Sequence, residues 1–509
     1  MLVSRRRFAS LASLGMAGFP FQLTAARPRP KLIVLLIAEQ FRADYLDLFS
    51  NFLVPGGFRR LMEDGAYFPG CQMAASTFTS GGLATLSTGA YPQLHGIVAD
   101  NWYDRSARMP VPATRQALQA TTIADQFAAA TPDNRIFVSA LNLPDGELLT
   151  GSAQAAVFYL NAQGSFVQRS RDQPSGWLAD FNRANAPEKL RDAPWLALGN
   201  RKGGPPLRTL TFDPDRPEDF LALYRASPFA QTAHMALARE MILQEKLGQG
   251  QGADLLAVSL GSAALLGYEV GGDSPLMREM VLHLDRQVEA LLLLLDKSLG
   301  PRNYALAFTS AHGAANVPDG HRAELAVSGE TVAGAINRAL SAHYDVGHRK
   351  NVYVERYLYP FLYLRQEVLR KTFIEPREAR IVAGKAALGI PGVIGFYTVD
   401  GDSSHSGDWI RRFRNSFHAV RSGDVMLAYA PEHVELYGDG RGISYGSLYN
   451  YDSLVPLILY GTPFETQLFD TPVESVDLAP TLARVAGIGW PSSSTGRVLG
   501  EALISVAET

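Results

Sequence analysis

Apolar runs recur along the chain, and between them hydrophobic residues fall at helical spacing. Lys31 to Ala38 (KLIVLLIA) is a continuous apolar run bounded by polar residues, the signature of a strand buried on both faces of a parallel sheet. The same signature returns at Asp254 to Leu260, at Tyr304 to Thr309, at Val425 to Ala428 and, less cleanly, at Arg135 to Ala140. Ser227 to Leu247 and Leu276 to Leu299 carry apolar residues at helical intervals, and Asp477 to Val485 reads as a short helix opened by an Asp cap. Strands alternating with helices predict an α/β fold: a three-layer α/β/α sandwich around a mostly parallel, doubly wound sheet.

Two stretches break the alternation. Residues 144–217 are rich in Pro, Asn, Gly and aromatics, and residues 352–402 begin with VYVERYLYPFLYL, which alternates like sheet strands. Both are expected as insertions that pack together as a cap over the C-terminal edge of the sheet, where open α/β sheets place ligands. The N-terminus reads as an address. Ser4-Arg5-Arg6-Arg7-Phe8 precedes an uncharged stretch to Ala26 that is broken by Gly15, Gly18 and Pro20, so residues 1–26 are expected to be a cleaved twin-arginine export signal. A membrane anchor would want Leu and Ile where this stretch carries Gly, Pro, Gln and Thr. The expected domain plan is therefore a signal over 1–26 and an α/β core over 27–509, bound for the periplasm or the exterior, with no membrane span after cleavage.

Composition narrows the chemistry. The 47 Lys and Arg nearly balance the 50 Asp and Glu, and no basic run follows the first ten residues, so nothing steers the chain onto nucleic acid. The single Cys excludes an internal disulfide, a zinc ribbon and an iron–sulfur cluster. Any metal must then sit on carboxylates, hydroxyls or the ten His residues.

The segment Ala75 to Tyr103, ASTFTSGGLATLSTGAYPQLHGIVADNWY, resembles the nucleophile region of the alkaline phosphatase superfamily, in its type I phosphodiesterase/nucleotide pyrophosphatase branch of exported phosphatases. The resemblance continues in the same order through LIVLLIAEQFRADYL, SPFAQTAHMALARE, DLLAVSLGSAALLGYEVG, AFTSAHGAANVP, RSGDVMLAYAP, GISYGSLYNYDSLVPLILYG and DLAPTLARVAGI, covering nearly the whole mature chain. It implies a two-zinc phosphoryl-transfer site, in which a Thr or Ser attacks phosphorus and the second zinc stabilises the leaving oxygen.

Most of the implied metal ligands are absent. Thr79 matches the nucleophile position, with capping of the following helix as its bland alternative. The first ligand Asp falls on Glu39, and the Asp-x-x-x-His element falls on Ala264 and Tyr268. The Asp-His pair falls on Ala311 and His312, and the last ligand His falls on Tyr445. One zinc position is left with no ordinary ligand, and the other keeps only Glu39 and His312 beside Thr79, short of the roughly three donors a catalytic zinc requires. The Asn that would donate to a phosphate oxygen falls on Asp100, and a Lys and an Arg of the exported branch fall on Leu141 and Leu143. The replacements at the ligand and clamp positions Ala264, Tyr268, Ala311, Tyr445, Leu141 and Leu143 are neutral, which avoids unpaired buried carboxylates in a site without metal.

The leading expectation is a non-catalytic pseudo-phosphatase without cofactor, which keeps the cleft for a small-molecule phosphate ester or a protein partner. The alternative is a phosphate- or sulfate-ester hydrolase that uses Thr79 and a rebuilt single zinc on Glu39, His312 and Asp100. A purely structural role beside an active paralogue is the third. Outside the motifs, His95 is expected to buttress a turn and Cys71 to be a small buried apolar side chain. Asp319, His321 and Glu324 are expected in a solvated loop, and Asp452 and Asp477 as turn and cap residues.

Overall fold

A computed structural model describes residues 29–169, 175–199, 204–316, 326–347, 350–431, 434–435 and 445–504. The expected signal, residues 1–26, and Asp319, His321 and Glu324 lie outside the described residues.

The apolar runs form the central sheet. In chain order its main strands are β1 (Leu32–Ala38), β2 (Ala66–Gln72), β3 (Arg135–Ala140), β4 (Ala156–Leu160), β5 (Phe166–Arg169), β6 (Asp254–Leu260) and β7 (Tyr304–Thr309). After these come β8 (Val354–Leu358), β9 (Phe361–Leu364), β10 (Val393–Thr398) and β11 (Val425–Tyr429), which form a separate sheet, and then β12 (Leu454–Gly461), which returns to the first. The spatial order of the central sheet is β2-β12-β7-β1-β6-β3-β4-β5. Its middle is parallel: β1 pairs with both β6 and β7, β6 with β3, and β3 with β4. Its outer parts, β7 with β12, β12 with β2 and β4 with β5, are antiparallel.

Period-two alternation explains why β1 carries no polar residue. Ile33, Leu35 and Ile37 enter one hydrophobic core, while Leu32, Val34, Leu36 and Ala38 enter the core on the other face. The helices that position the site are α1 (Thr79–Thr88), α2 (Leu143–Thr150), α3 (Pro228–Gln244), α4 (Ser262–Val270) and α5 (Pro275–Leu299). The long α5 illustrates the local logic. Ser274 accepts the Leu276 amide at 3.2 Å, Pro275 sits in the first turn, and Gly300 at φ 78° ends the helix. Its buried stripe, Met277, Met280, Val281, Leu284, Val288, Leu291 and Leu295, follows the helical period.

One expectation needs correction, and two others gain detail. Val425–Tyr429 is a strand but belongs to the second sheet, antiparallel and ordered β8-β9-β11-β10, because a short buried apolar run does not encode which sheet it joins. The described part of residues 144–217 adds to the central sheet. Their strands β4 and β5 extend the edge of the central sheet, and Phe158, Phe166, Phe181 and Trp195 join its core. The second sheet instead packs its own core with α6 (Gly329–Tyr344) and α7 (Pro376–Ala387), where Val332, Ile336, Ala379 and Ala383 meet Leu362, Phe396 and Leu427. The helix expected from Asp477 begins at Leu478 with Asp477 in the N-cap position, but the Asp477 side chain makes no capping hydrogen bond. Its carboxylate accepts the Glu474 and Arg497 amides, at 2.9 and 2.8 Å. Among the described residues no helix is long and apolar enough to cross a membrane.

Candidate functional site

Parallel strands bring their C-terminal ends to one edge, and four of the predicted segments meet there. Glu39 follows β1, Leu141 follows β3, Ala264 and Tyr268 lie on α4 just after β6, and Ala311 and His312 follow β7. The Glu39 amide donates to the Leu260 carbonyl at 3.1 Å, which continues the β1–β6 register into the site. Helix α1 presents its N-terminus to this edge. The approach is close enough that a Cβ at Gly82 would collide with the Ala311 carbonyl, so only glycine fits there.

Thr79 is the first residue of α1 and does not cap it; its hydroxyl lies 3.0 Å from His312 Nε2 and 3.4 Å from Glu39 Oε2. The His312 tautomer follows from its other nitrogen. Nδ1 is 2.8 Å from the Gly313 carbonyl, which can only accept, so Nδ1 carries the hydrogen and Nε2 of the neutral ring accepts from Thr79. Burial, the largest influence, lowers the His312 pKa and keeps the ring neutral. Hydroxyl and imidazole thus stand as a nucleophile and base do. Glu39 accepts the Ser259 hydroxyl at 2.7 Å, and burial, aided by the nearby Asp100, pushes its pKa up to about 7.

Asp100 is what caps α1. Its Oδ1 accepts the Ser80 amide at 2.8 Å and its Oδ2 accepts the Tyr445 hydroxyl at 2.8 Å. Free amides at a helix N-terminus attract anions, and here the chain's own carboxylate has taken that place. Tyr445 also stacks on His312, with ring centroids 4.7 Å apart and planes at 14°. Burial and then Asp100 hold its phenol protonated, with the pKa well above the usual value.

Two participants escape sequence reasoning. Ser259, the partner of Glu39, looks like any other residue of an apolar strand. Asp145 is a buried carboxylate on α2 whose pKa rises through burial, then through Glu39 and Asp100. The available signal for Asp145 was the Asn142-x-x-Asp145 spacing after β3, since Asn142 accepts the Asp145 amide at 3.0 Å and opens the helix. Beside Asp100 lies a cavity of about 220 Å³ lined by Phe78, Asn101, Tyr268, Tyr359 and Tyr445 among others.

The profile of the family described as Type I phosphodiesterase / nucleotide pyrophosphatase matches residues 33–354. The chain belongs to this family. Alkaline phosphatase PafA of Elizabethkingia meningoseptica is 26% identical over 547 residues, covering 96% of this chain and 97% of that protein. Alkaline phosphatase PhoK of a Sphingomonas species is 26% identical over 531 residues, covering 93% and 91%. The crystal structure of wild-type PafA superposes with a TM-score of 0.81 at 24% identity, covering 94% of this chain and 100% of that one. Murine ectonucleotide pyrophosphatase / phosphodiesterase 5 reaches 0.56 at 15% identity, over 90% of this chain and 95% of that one. These two likenesses establish the fold, with its mostly parallel central sheet between helices.

Within this phosphodiesterase-family site, a two-zinc set does not fit the donors present. Two tetrahedral ions call for roughly three or four donors each. Thr79, Glu39 and His312 come together, but both Asp100 oxygens are turned to Ser80 and Tyr445. Among the described residues no group of three or more His, Cys, Asp and Glu is arranged to hold an ion. Ala264 and Tyr268 stand one turn apart on α4, Ala311 is fully buried, and Leu141 packs its side chain near Gly261. Away from the site, His95 braces its turn: Nδ1 accepts the Ile97 amide at 3.1 Å, and Nε2 lies 3.0 Å from the Thr85 hydroxyl. Cys71 is free and buried in the core.

Proposed function

We propose that this chain is an exported, non-catalytic member of the type I phosphodiesterase family, a pseudo-phosphatase that keeps the cleft for binding. The carrying observation is Asp100, whose carboxylate engages both the Ser80 amide and the Tyr445 hydroxyl. An incoming phosphate would have to displace it from the helix N-terminus or face its charge at close range. The neutral side chains of Ala264, Tyr268, Ala311 and Tyr445 support the same reading, since they replace positions that the family resemblance assigns to metal ligands. A site of this kind is stable without cofactor because Tyr445 covers His312 and satisfies Asp100.

One observation favours a second reading, a hydrolase that uses Thr79. The Thr79 hydroxyl already donates to a His312 ring whose tautomer is held by Gly313. The two readings separate on metal content and turnover. The protein is purified from zinc-replete cells, bound metal is measured by elemental analysis, and aryl phosphate mono- and diesters are offered to it and to Thr79→Ala. No stoichiometric metal and no turnover is the expected result. Bound zinc with turnover that disappears in Thr79→Ala overturns the non-catalytic reading.

A further inference from the structure

A second cavity, of about 250 Å³, is lined by the hairpin of Asn101–Asp104 with Met109–Pro112 and by the chain that follows β9, and it shares no lining residue with the cavity beside Asp100. Its charged lining is four guanidiniums, Arg105, Arg108, Arg365 and Arg370, against two carboxylates, Glu355 and Glu367. Both carboxylates are already engaged. Glu355 accepts the Tyr103 hydroxyl at 3.0 Å and pairs with Arg365 at 3.3 Å, and Glu367 accepts Lys371 Nζ at 2.6 Å. Arg105 is anchored too, donating to Asp424 at 2.8 Å and to the Leu364 carbonyl at 3.3 Å. Neither the Arg108 nor the Arg370 side chain has an ion pair or hydrogen bond among the described residues, so two positive charges stand uncompensated at this cavity. The turn that carries Arg105 and Arg108 is fixed by Asp104, whose Oδ1 accepts the Ser106 and Ala107 amides at 2.7 and 2.9 Å. Arg108 stands there at φ 57°, a left-handed position that Gly or Asn occupies more easily.

We infer that this arginine-lined cavity is a binding site for a small phosphate monoester, separate from the cleft at Thr79, with Arg108 and Arg370 as the residues that hold the phosphate. A phosphate monoester is close to a dianion at neutral pH, since its second pKa is about 6, and its charge matches the two uncompensated guanidiniums. Each guanidinium is a planar fork suited to two phosphate oxygens, and a tetrahedral phosphate has terminal oxygens for both forks at once. A single carboxylate carries one charge and fills one fork. A cavity of about 250 Å³ falls just below the range that encloses drug-sized ligands, which suits a small ester. The cavity beside Asp100 has no Lys, Arg or His in its lining, so the cations that attract an anion are gathered here and not there. The inference goes beyond the non-catalytic reading and stands whether or not the cleft turns over a substrate.

The test is calorimetric titration of the purified full-length protein with sn-glycerol 3-phosphate, with inorganic phosphate and with acetate. Glycerol 3-phosphate is expected to bind at least about tenfold tighter than acetate, a factor that corresponds to about 1.4 kcal/mol, and to weaken as sodium chloride is added. Inorganic phosphate as tight as the ester shows that the phosphate alone is read, and a tighter ester shows that the cavity also holds the attached group; both results support the site. Arg108→Ala and Arg370→Ala are each expected to weaken glycerol 3-phosphate at least about tenfold with unchanged circular dichroism, since both side chains are exposed. Arg108→Lys keeps the charge without the fork and is expected to recover only part of the loss. Three results overturn the inference: neither phosphate species binding at about 10 mM, acetate binding as tightly as the ester, or both alanine variants binding the ester as the parent does.

Discussion

The Tyr445 hydroxyl donates to Asp100 Oδ2 at 2.8 Å, and the opposite oxygen of the same carboxylate caps helix α1 through Ser80. Tyr445→Phe removes one donor and leaves a partly desolvated carboxylate oxygen without it. The expected cost is about 1–3 kcal/mol, read as a lower midpoint in chemical denaturation at unchanged slope. A variant as stable as the parent would show that water satisfies Asp100 just as well.

Rebuilding the donors should bring metal back. A combined Asp100→Asn, Ala264→Asp, Tyr268→His, Ala311→Asp and Tyr445→His variant supplies ordinary zinc ligands at positions 264, 268, 311 and 445 and, through Asp100→Asn, removes the carboxylate that faces the helix N-terminus. It is expected to retain zinc through gel filtration while the parent does not, as measured by elemental analysis. Retention of equal zinc by both proteins would contradict the account of the site.

Gly82 packs directly against the backbone at Ala311. A methyl group there meets the Ala311 backbone carbonyl, which cannot rotate away as a side chain would. Gly82→Ala is expected to destabilise by about 2–3 kcal/mol, checked by thermal or denaturant unfolding, whereas Ala in place of the exposed Gly250, with open space around it, should change little.

Asp452 makes stability depend on pH in the direction opposite to an ordinary ion pair. It is fully buried, its Oδ2 accepts the Ser447 amide at 3.0 Å, and Oδ1 has no hydrogen-bond partner among the described residues. Burial, the dominant cause, raises its pKa from 3.8 to about 7. The folded state therefore holds a proton that the unfolded chain has released, and this contribution to stability is lost as pH rises from about 4 to 7. The full effect is on the order of 4 kcal/mol. Asp452→Asn should flatten that part of the profile in unfolding experiments run across pH 4 to 8, and an unchanged slope would assign it to another group.

Export is testable without reference to the fold. Changing Arg5 and Arg6 together to Lys should leave the protein in the cytoplasm of a twin-arginine-competent host, as followed by cell fractionation. Normal export of that variant would point to a different route.

The strands were legible because burial on both faces leaves a strong mark: Leu32–Ala38 and Asp254–Leu260 could hardly be polar and lie mid-sheet. The helices Pro228–Gln244 and Pro275–Leu299 were legible from their apolar spacing for the same reason. Sheet membership was not, and Val425–Tyr429 went to the second sheet because hydrophobicity records burial and not partners. Motif order alone located Thr79, Glu39, Asp100, His312 and Tyr445. Only tertiary structure decided what they do to one another: that Asp100 turns to cap Thr79's helix, that Tyr445 lies over His312, and that Asp145 arrives from a different strand end to share their field. Residue identity sets the chemistry available at each position, but hydrogen bonds and electrostatic coupling depend on distances between segments far apart in the chain, and those distances exist only once the sheet has brought its strand ends together.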